Sequence, residues 1–145
     1  MIAVIQRVSH AEVVADGILT GKIGKGLYIL LGVEKGDSQS DAIALAEKIT
    51  KLRIFSDENG KMNRSLLDIN GEILIVSQFT LCGDCKKGTR PSFDKSALPE
   101  IAKDLYEKFI LEVKNYNLRV ETGVFAAMMD VALINDGPVT FMIEL

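Results

Sequence analysis

The dipeptide Asp16-Gly17 constrains this chain more than any other local feature, because it stands between two strand-like runs, Glu12 to Ala15 and Ile18 to Ile23. A two-residue hairpin loop with the favoured twist needs φ > 0 at both turn positions, and Asp-Gly supplies that. Antiparallel sheet therefore starts close to the N-terminus. Before it, Ile2 to Val8 carries Ile2, Val4, Ile5 and Val8 and reads as a strand of mostly β-branched residues. His10 then falls in a loop after that strand. Gly26 to Val33 is a continuous apolar run bounded by glycine, the pattern of a strand buried on both faces.

Further strands are expected at Gly71 to Leu81, Leu118 to Glu121, Met129 to Ile134 and Val139 to Glu144, with a turn at Asp57-Glu58-Asn59-Gly60. Two stretches change period. Ser40 reads as an N-cap, followed at helical spacing by Ala42, Leu45, Ile49 and Leu52. A second helix begins near Pro99, which suits a first turn whose N–H would be unpaired anyway. Its apolar positions are Ile101, Leu105, Phe109, Val113 and Tyr116. The tally is about seven strands and two main helices without βαβ alternation. That predicts an α+β, layered sheet–helix architecture and not a Rossmann fold.

Composition serves to exclude. A length of 145 residues fits a single domain, 1–145, and no repeat, low-complexity tract or linker divides it. Hydrophobic residues at 48% and charged residues at 26% argue for a folded globular chain over a disordered one. The longest apolar runs fall far short of the roughly 20 residues of a membrane span. No signal-peptide pattern opens the sequence, and with two cysteines a reducing cytoplasm is the expected location. The net charge of −3 does not mark the whole surface for nucleic acid. A local patch is another matter: Lys86, Lys87, Arg90 and Lys95 outnumber Asp84 and Asp94 between Leu81 and Ser96. Such a loop serves RNA binding or solubility equally well.

The familiar catalytic constellations are missing. His10 is the one histidine, and a triad would have to be built on it. Cys82-Gly83-Asp84-Cys85 has CxxC spacing, but no second pair completes a structural zinc site. Gly21 to Gly26 matches neither phosphate-binding glycine pattern, so no metal and no cofactor are expected. Two segments remain. Ser77-Gln78-Phe79-Thr80-Leu81 places polar side chains where an apolar strand ends, so that backbone N–H groups released from the ladder could face a ligand. Asn135-Asp136-Gly137-Pro138 separates two apolar strands, and X-Pro bonds are the ones that turn cis.

Taken together, these two segments resemble the signature pair of the D-aminoacyl-tRNA deacylases, SQFTL at Ser77 to Leu81 and NxGPVT at Asn135 to Thr140. Ile5-Gln6-Arg7-Val8, Leu31-Gly32-Val33-Glu34, Arg53-Ile54-Phe55 and Gly60-Lys61-Met62-Asn63 continue the likeness. So do Arg90-Pro91-Ser92-Phe93, Thr122-Gly123 and Phe125-Ala126. The resemblance implies a β-sheet/β-sheet/α sandwich with barrel-like curved sheets, assembled as a homodimer. It also implies hydrolysis of the ester in D-aminoacyl-tRNA, with glycyl-tRNA, such as glycine mischarged on tRNA(Ala), as a second substrate. No membrane and no DNA partner is implied.

On this reading the catalytic segment is Ser77, Gln78, Phe79 and Thr80, acting through backbone amides on the carbonyl oxygen while water attacks with help from the tRNA 2′-OH. Gly137 and Pro138 of one subunit complete the other's pocket and reject L side chains. Arg7 fixes that loop, and Phe125 and Met129 line the pocket. Lys86, Lys87 and Arg90 are the tRNA-binding candidates. The alternatives are Thr80 as covalent nucleophile and a non-catalytic tRNA-binding module.

Overall fold

The computed structural model describes all 145 residues, Met1–Leu145. Strands β1 (Ile2–Ala15) and β2 (Ile18–Ile23) form the expected hairpin, with Asp16 at φ 49° and Gly17 at φ 78°. β1 does not stop at Val8, however. It runs through His10, which pairs with Ile134 instead of sitting in a loop. One extra residue, Ser9, separates the pairs Val8↔Asn135 and His10↔Ile134, so the strand carries a bulge there. The bulge changes which residues face which way. Ala3 and Ile5 point to one core, whereas Ala11 and Val13 point to another.

Strand β3 (Gly26–Gly32) continues beside the first half of β1. Strand β6 (Glu72–Ser77) lies parallel to β3, and β7 (Arg119–Thr122) lies parallel to β6. Strand β8 (Met129–Glu144) covers the other edge of β1. This sheet curls until its ends nearly meet, giving a barrel-like shape. Arg119 Nη2 on β7 donates to the Lys22 carbonyl on β2 at 3.2 Å. Inside the curl pack Val8, Val13, Ile23, Tyr28, Leu74 and Val76. The larger core, with Ile5, Leu27, Ile29, Ile73 and Ile75, lies between the sheet and the helices. Consecutive residues of β3 thus enter different cores, Ile29 on the helix side and Tyr28 inside the curl, as its unbroken apolar run predicts.

Two helices cover the outer core. Helix α1 (Gln39–Lys51) buries Ala42, Leu45, Ala46 and Ile49. Its N-cap is Ser38, not Ser40, because Asp41 lies three residues beyond Ser38 and its carboxylate accepts from the Ser38 amide at 2.8 Å. Helix α2 (Pro99–Lys114) starts at the proline as expected and buries Leu105, Tyr106, Phe109 and Val113. Ile101 stays exposed on it, and Tyr116 lies past its end.

Three further differences refine the strand count. The expected strand to Leu81 ends at Ser77, and the chain then turns through a 3-10 helix, Phe79–Cys82. The segments 129–134 and 139–144 are one strand, β8, with a wide bulge between them. A short hairpin, β4 (Phe55–Ser56) with β5 (Met62–Arg64), brackets the predicted 57–60 turn. The molecule is α+β with eight strands and two helices, its curled sheet layered against the helices.

Candidate active site

At the end of β6 the ladder to β3 closes with Gln78 donating its N–H to the Leu31 carbonyl at 2.8 Å. The chain then enters the 79–82 turn, where Leu81 N donates to Gln78 O at 3.2 Å and Gly83 N to Thr80 O at 3.1 Å. The first amides of a helical turn have no partner within it. Those of Phe79 and Thr80 donate to no group in the chain. Gly32 lets the turn approach: a Cβ there would lie 3.1 Å from Leu81 Cβ and 3.2 Å from Gln78 O.

Beside this turn opens a cavity of about 550 Å³. Ser77, Gln78 and Phe79 line one wall, and Phe125 to Met129 line another. Five of the residues singled out from sequence therefore meet here: Ser77, Gln78, Phe79, Phe125 and Met129. No charged side chain lines the cavity. Tyr106 of α2, absent from the apolar positions expected on that helix, also faces it. Its hydroxyl donates to the Ile75 carbonyl at 2.9 Å, and burial raises the phenol far above its ordinary value. The same carbonyl accepts from Gly123 N at 3.2 Å, where the 123–128 wall leaves the sheet. The Tyr106 ring lies 5.8 Å from that of Phe125. Tyr106 lies one residue off the four-residue rhythm that runs through Leu105 and Phe109, so no periodic signal marks it.

Thr80 is exposed and does not line the cavity. Its Oγ1 accepts from Gln78 Nε2 at 2.6 Å, and an amide is not a base. His10 sits 3.4 Å from Glu12. The Glu12 carboxylate is held below its ordinary range, chiefly by Lys22 and then by His10.

The second signature segment lies elsewhere, on β8. The Gly137-Pro138 peptide is cis, with Gly137 at φ 140°. Both residues are exposed and neither lines the cavity of their own chain. Arg7, buried on β1, holds the loop: Nε donates to Asp136 O at 3.0 Å and Nη1 to Ile54 O at 2.6 Å. Asn135 closes its neck, donating from Nδ2 to Arg7 O at 3.1 Å and to Val139 O at 3.2 Å. That side-chain amide stands in for ladder bonds lost where the register jumps from Val8↔Asn135 to Gln6↔Thr140.

Lys86, Lys87 and Arg90 are exposed on the loop between the 79–82 turn and α2. Asp84 and Ser92 pair across it, with bonds of 2.7 and 3.0 Å. Cys82 is buried and Cys85 exposed, both as free thiols, and burial raises the Cys82 thiol. No cluster of three or more His, Cys, Asp or Glu is arranged to hold a metal ion. No helix is long and apolar enough to cross a membrane.

Known proteins resemble this chain over nearly its whole length. A D-aminoacyl-tRNA deacylase from Thermosipho africanus is 64% identical over 99% of this chain and 97% of its own length. One from Persephonella marina is 59% identical over the same shares. A solved structure described as a c-Myc DNA unwinding element binding protein superimposes with a TM-score of 0.93 at 39% identity, covering 100% of this chain and 99% of its own. Another, described as a probable eukaryotic D-amino acid tRNA deacylase, shares the fold with a TM-score of 0.87 at 16% identity, covering 99% and 98%. The family model described as D-Tyr-tRNA(Tyr) deacylase matches residues 4–144, and with it the chain belongs to that family of hydrolases.

Proposed function

We propose that this protein hydrolyses the ester joining a D-amino acid to the 3′ end of tRNA, and glycyl-tRNA with it, and does so as a homodimer. The observation that carries the reading is the turn after Ser77, whose first amides, Phe79 N–H and Thr80 N–H, donate to no group in the chain and whose Phe79 lines a cavity without charged side chains. Water attacks the ester carbonyl, and the two amides hold the developing oxyanion. The intermediate collapses by expelling the ribose 3′-oxygen, which takes up the proton released by the water, relayed by the neighbouring 2′-OH. The substrate supplies the proton relay that the cavity lacks. Each oxyanion donor contributes about 10²–10³ in rate, and an activated ester needs no stronger nucleophile. Thr80 as a covalent nucleophile lacks a base, since its one polar partner is the Gln78 amide.

Chirality is judged by the Gly137-Pro138 loop of one protomer entering the cavity of its partner. Its carbonyls grip the substrate ammonium and leave no room for an L side chain. Glycine, with no side chain, passes the same filter. The loop's exposure, its absence from its own chain's cavity and its clamping by Arg7 and Asn135 support this arrangement. A dimer also gives cover to the exposed apolar residues of β8, Ile134 at 62% and Met142 at 66%, and to Met128 at 85% on the cavity rim. Phe125 and Met129 contact the substrate from the cavity wall, and Lys86, Lys87 and Arg90 meet tRNA phosphates.

The test is deacylation of paired D- and L-tyrosyl-tRNA by protein whose mass in solution is measured in parallel. Rapid loss of the D-ester alone, by a dimer, is expected. Binding of tRNA without loss of either ester would replace the enzyme with a non-catalytic RNA-binding module.

A further inference from the structure

Phe79 and Phe93 form an exposed aromatic pair, 58% and 38% accessible, with ring centroids 5.0 Å apart and planes tilted by 57°. Two adjacent phenylalanine rings left in water form an apolar patch that a binding partner would cover. Their position is specific. Phe79 lines the active-site cavity, and Phe93 belongs to the basic loop. The Phe93 ring rests on Gly83, where a Cβ would lie 3.0 Å from it. Gly83 in turn lines a second cleft of mixed charge, with Lys86 and Lys95 beside Glu34, Asp84 and Glu144, and leads into the exposed basic stretch of Lys86, Lys87 and Arg90. An aromatic step thus lies between the cavity and the loop that carries Lys86, Lys87 and Arg90.

That combination is how proteins hold single-stranded nucleic acid: bases stack on aromatic faces while cations follow the phosphates. On the reading that the esterified 3′ nucleotide occupies the cavity, the next thing to leave it is the unpaired strand that joins this nucleotide to the acceptor stem. We propose that Phe93, with Phe79, is a stacking site for a base of that single strand, immediately 5′ of the terminal nucleotide. The phosphates on its far side run past Lys86, Lys87 and Arg90. The bases stack without sequence reading, since every base offers a π-face. The loop is braced for the task. Asp84 and Ser92 pair across its base, and the Ser96 amide donates to Phe93 O at 3.0 Å.

The experiment compares kcat/KM on two substrates, D-tyrosyl-tRNA and D-tyrosyl-adenosine, which lacks everything 5′ of the terminal nucleoside. The ratio of the two measures what the strand contributes. Phe93→Ala lowers that ratio by roughly tenfold, the scale of one base–aromatic stack. Phe93→Trp restores it. Phe93→Leu, which keeps apolar cover over Gly83 but has no π-face, behaves like alanine and stands in should the smaller side chain fail to fold. An equal loss on both substrates would make Phe93 a brace for the turn and overturn the proposal. Equal kcat/KM on both substrates in the unaltered protein would overturn it too, while leaving the deacylase reading intact. Failure to hydrolyse either substrate would remove that reading and this one with it.

Discussion

Replacing Arg7 with lysine isolates what a planar fork contributes to the Gly137-Pro138 loop. Arg7 is 9% exposed, and its guanidinium donates in two directions, Nε to Asp136 O at 3.0 Å and Nη1 to Ile54 O at 2.6 Å. One ammonium keeps the charge but cannot occupy both positions. The lysine variant therefore loses one charge-assisted hydrogen bond, about 1.5–3 kcal/mol. At about 1.4 kcal/mol per tenfold, the balance between held and released loop shifts by roughly 10- to 150-fold. The loop is exposed, so the loss falls on local opening more than on global unfolding. Hydrogen exchange at residues 139–141 should accelerate by that factor, and kcat/KM on D-tyrosyl-tRNA should fall about tenfold or more. A urea midpoint near that of the unaltered protein would show that the fold survives. Unaltered exchange and full turnover in Arg7→Lys would refute the argument, because Asn135 alone would then suffice to hold the loop.

Gly32→Ala presses a methyl group into Leu81, Gln78 O and Cys82 Sγ, all within 3.3 Å. Displacing the 79–82 turn in this way should cost roughly tenfold or more in turnover, with a stability loss of about 1–3 kcal/mol readable by thermal melting. Thr80→Ala keeps the backbone amide and should reduce kcat by less than about tenfold. A loss of three orders or more in single-turnover assays would instead make the hydroxyl the nucleophile. Asp41 in the α1 cap is held below its ordinary 3.8, first by the Ser38 hydroxyl and then by the Ser38 amide. A carboxylate whose folded pKa is depressed stabilises the protein above its unfolded pKa, and that contribution disappears as pH falls through the folded value. Asp41→Asn should lower the urea midpoint at pH 7 and narrow the difference between pH 7 and pH 3, whereas parallel pH profiles would count against it.

Much of this was legible in the chain, and for physical reasons. Asp16-Gly17 fixed the first hairpin because few residue pairs accept that turn, and Gly26 to Val33 showed a doubly buried strand because each of its faces meets a core. Pro99 marked the start of α2 because a proline suits a first turn. What escaped was long-range. His10 looked like loop because Ser9-His10 interrupts an apolar pattern, and only the partner strand shows that the interruption is a bulge. The chain after Ser77 looked extended because a single 3-10 turn leaves no periodicity. Tyr106 carried no local mark, since it falls between the apolar positions that set the rhythm of its helix, and Phe93 stood out only within Arg90-Pro91-Ser92-Phe93, which says nothing of what its ring touches. Their positions depend on Ile75 and Gly83, which lie 31 and 10 positions away by residue number.

The bulge at Ser9 has a consequence for how sequences of this kind can diverge. Side chains in a strand alternate strictly, so removing one residue exchanges the two faces of everything beyond it. Ser9 is the exception: it pairs with no residue of β8, and its loss leaves Val8, Ala11 and Val13 on a common face. Deleting a paired residue such as Glu12 would turn Val13 away from the interior of the curled sheet and bring Val14 into it. No choice of side chains at the other positions of β1 could repair that without rewriting β2 and the first half of β8 as well. The spacing of the paired residues of β1 is therefore inherited as a unit. The loop from Asp84 to Ser96 answers to no such parity, and insertions and deletions should collect there, or at the bulge itself, while the paired residues of β1 keep their count.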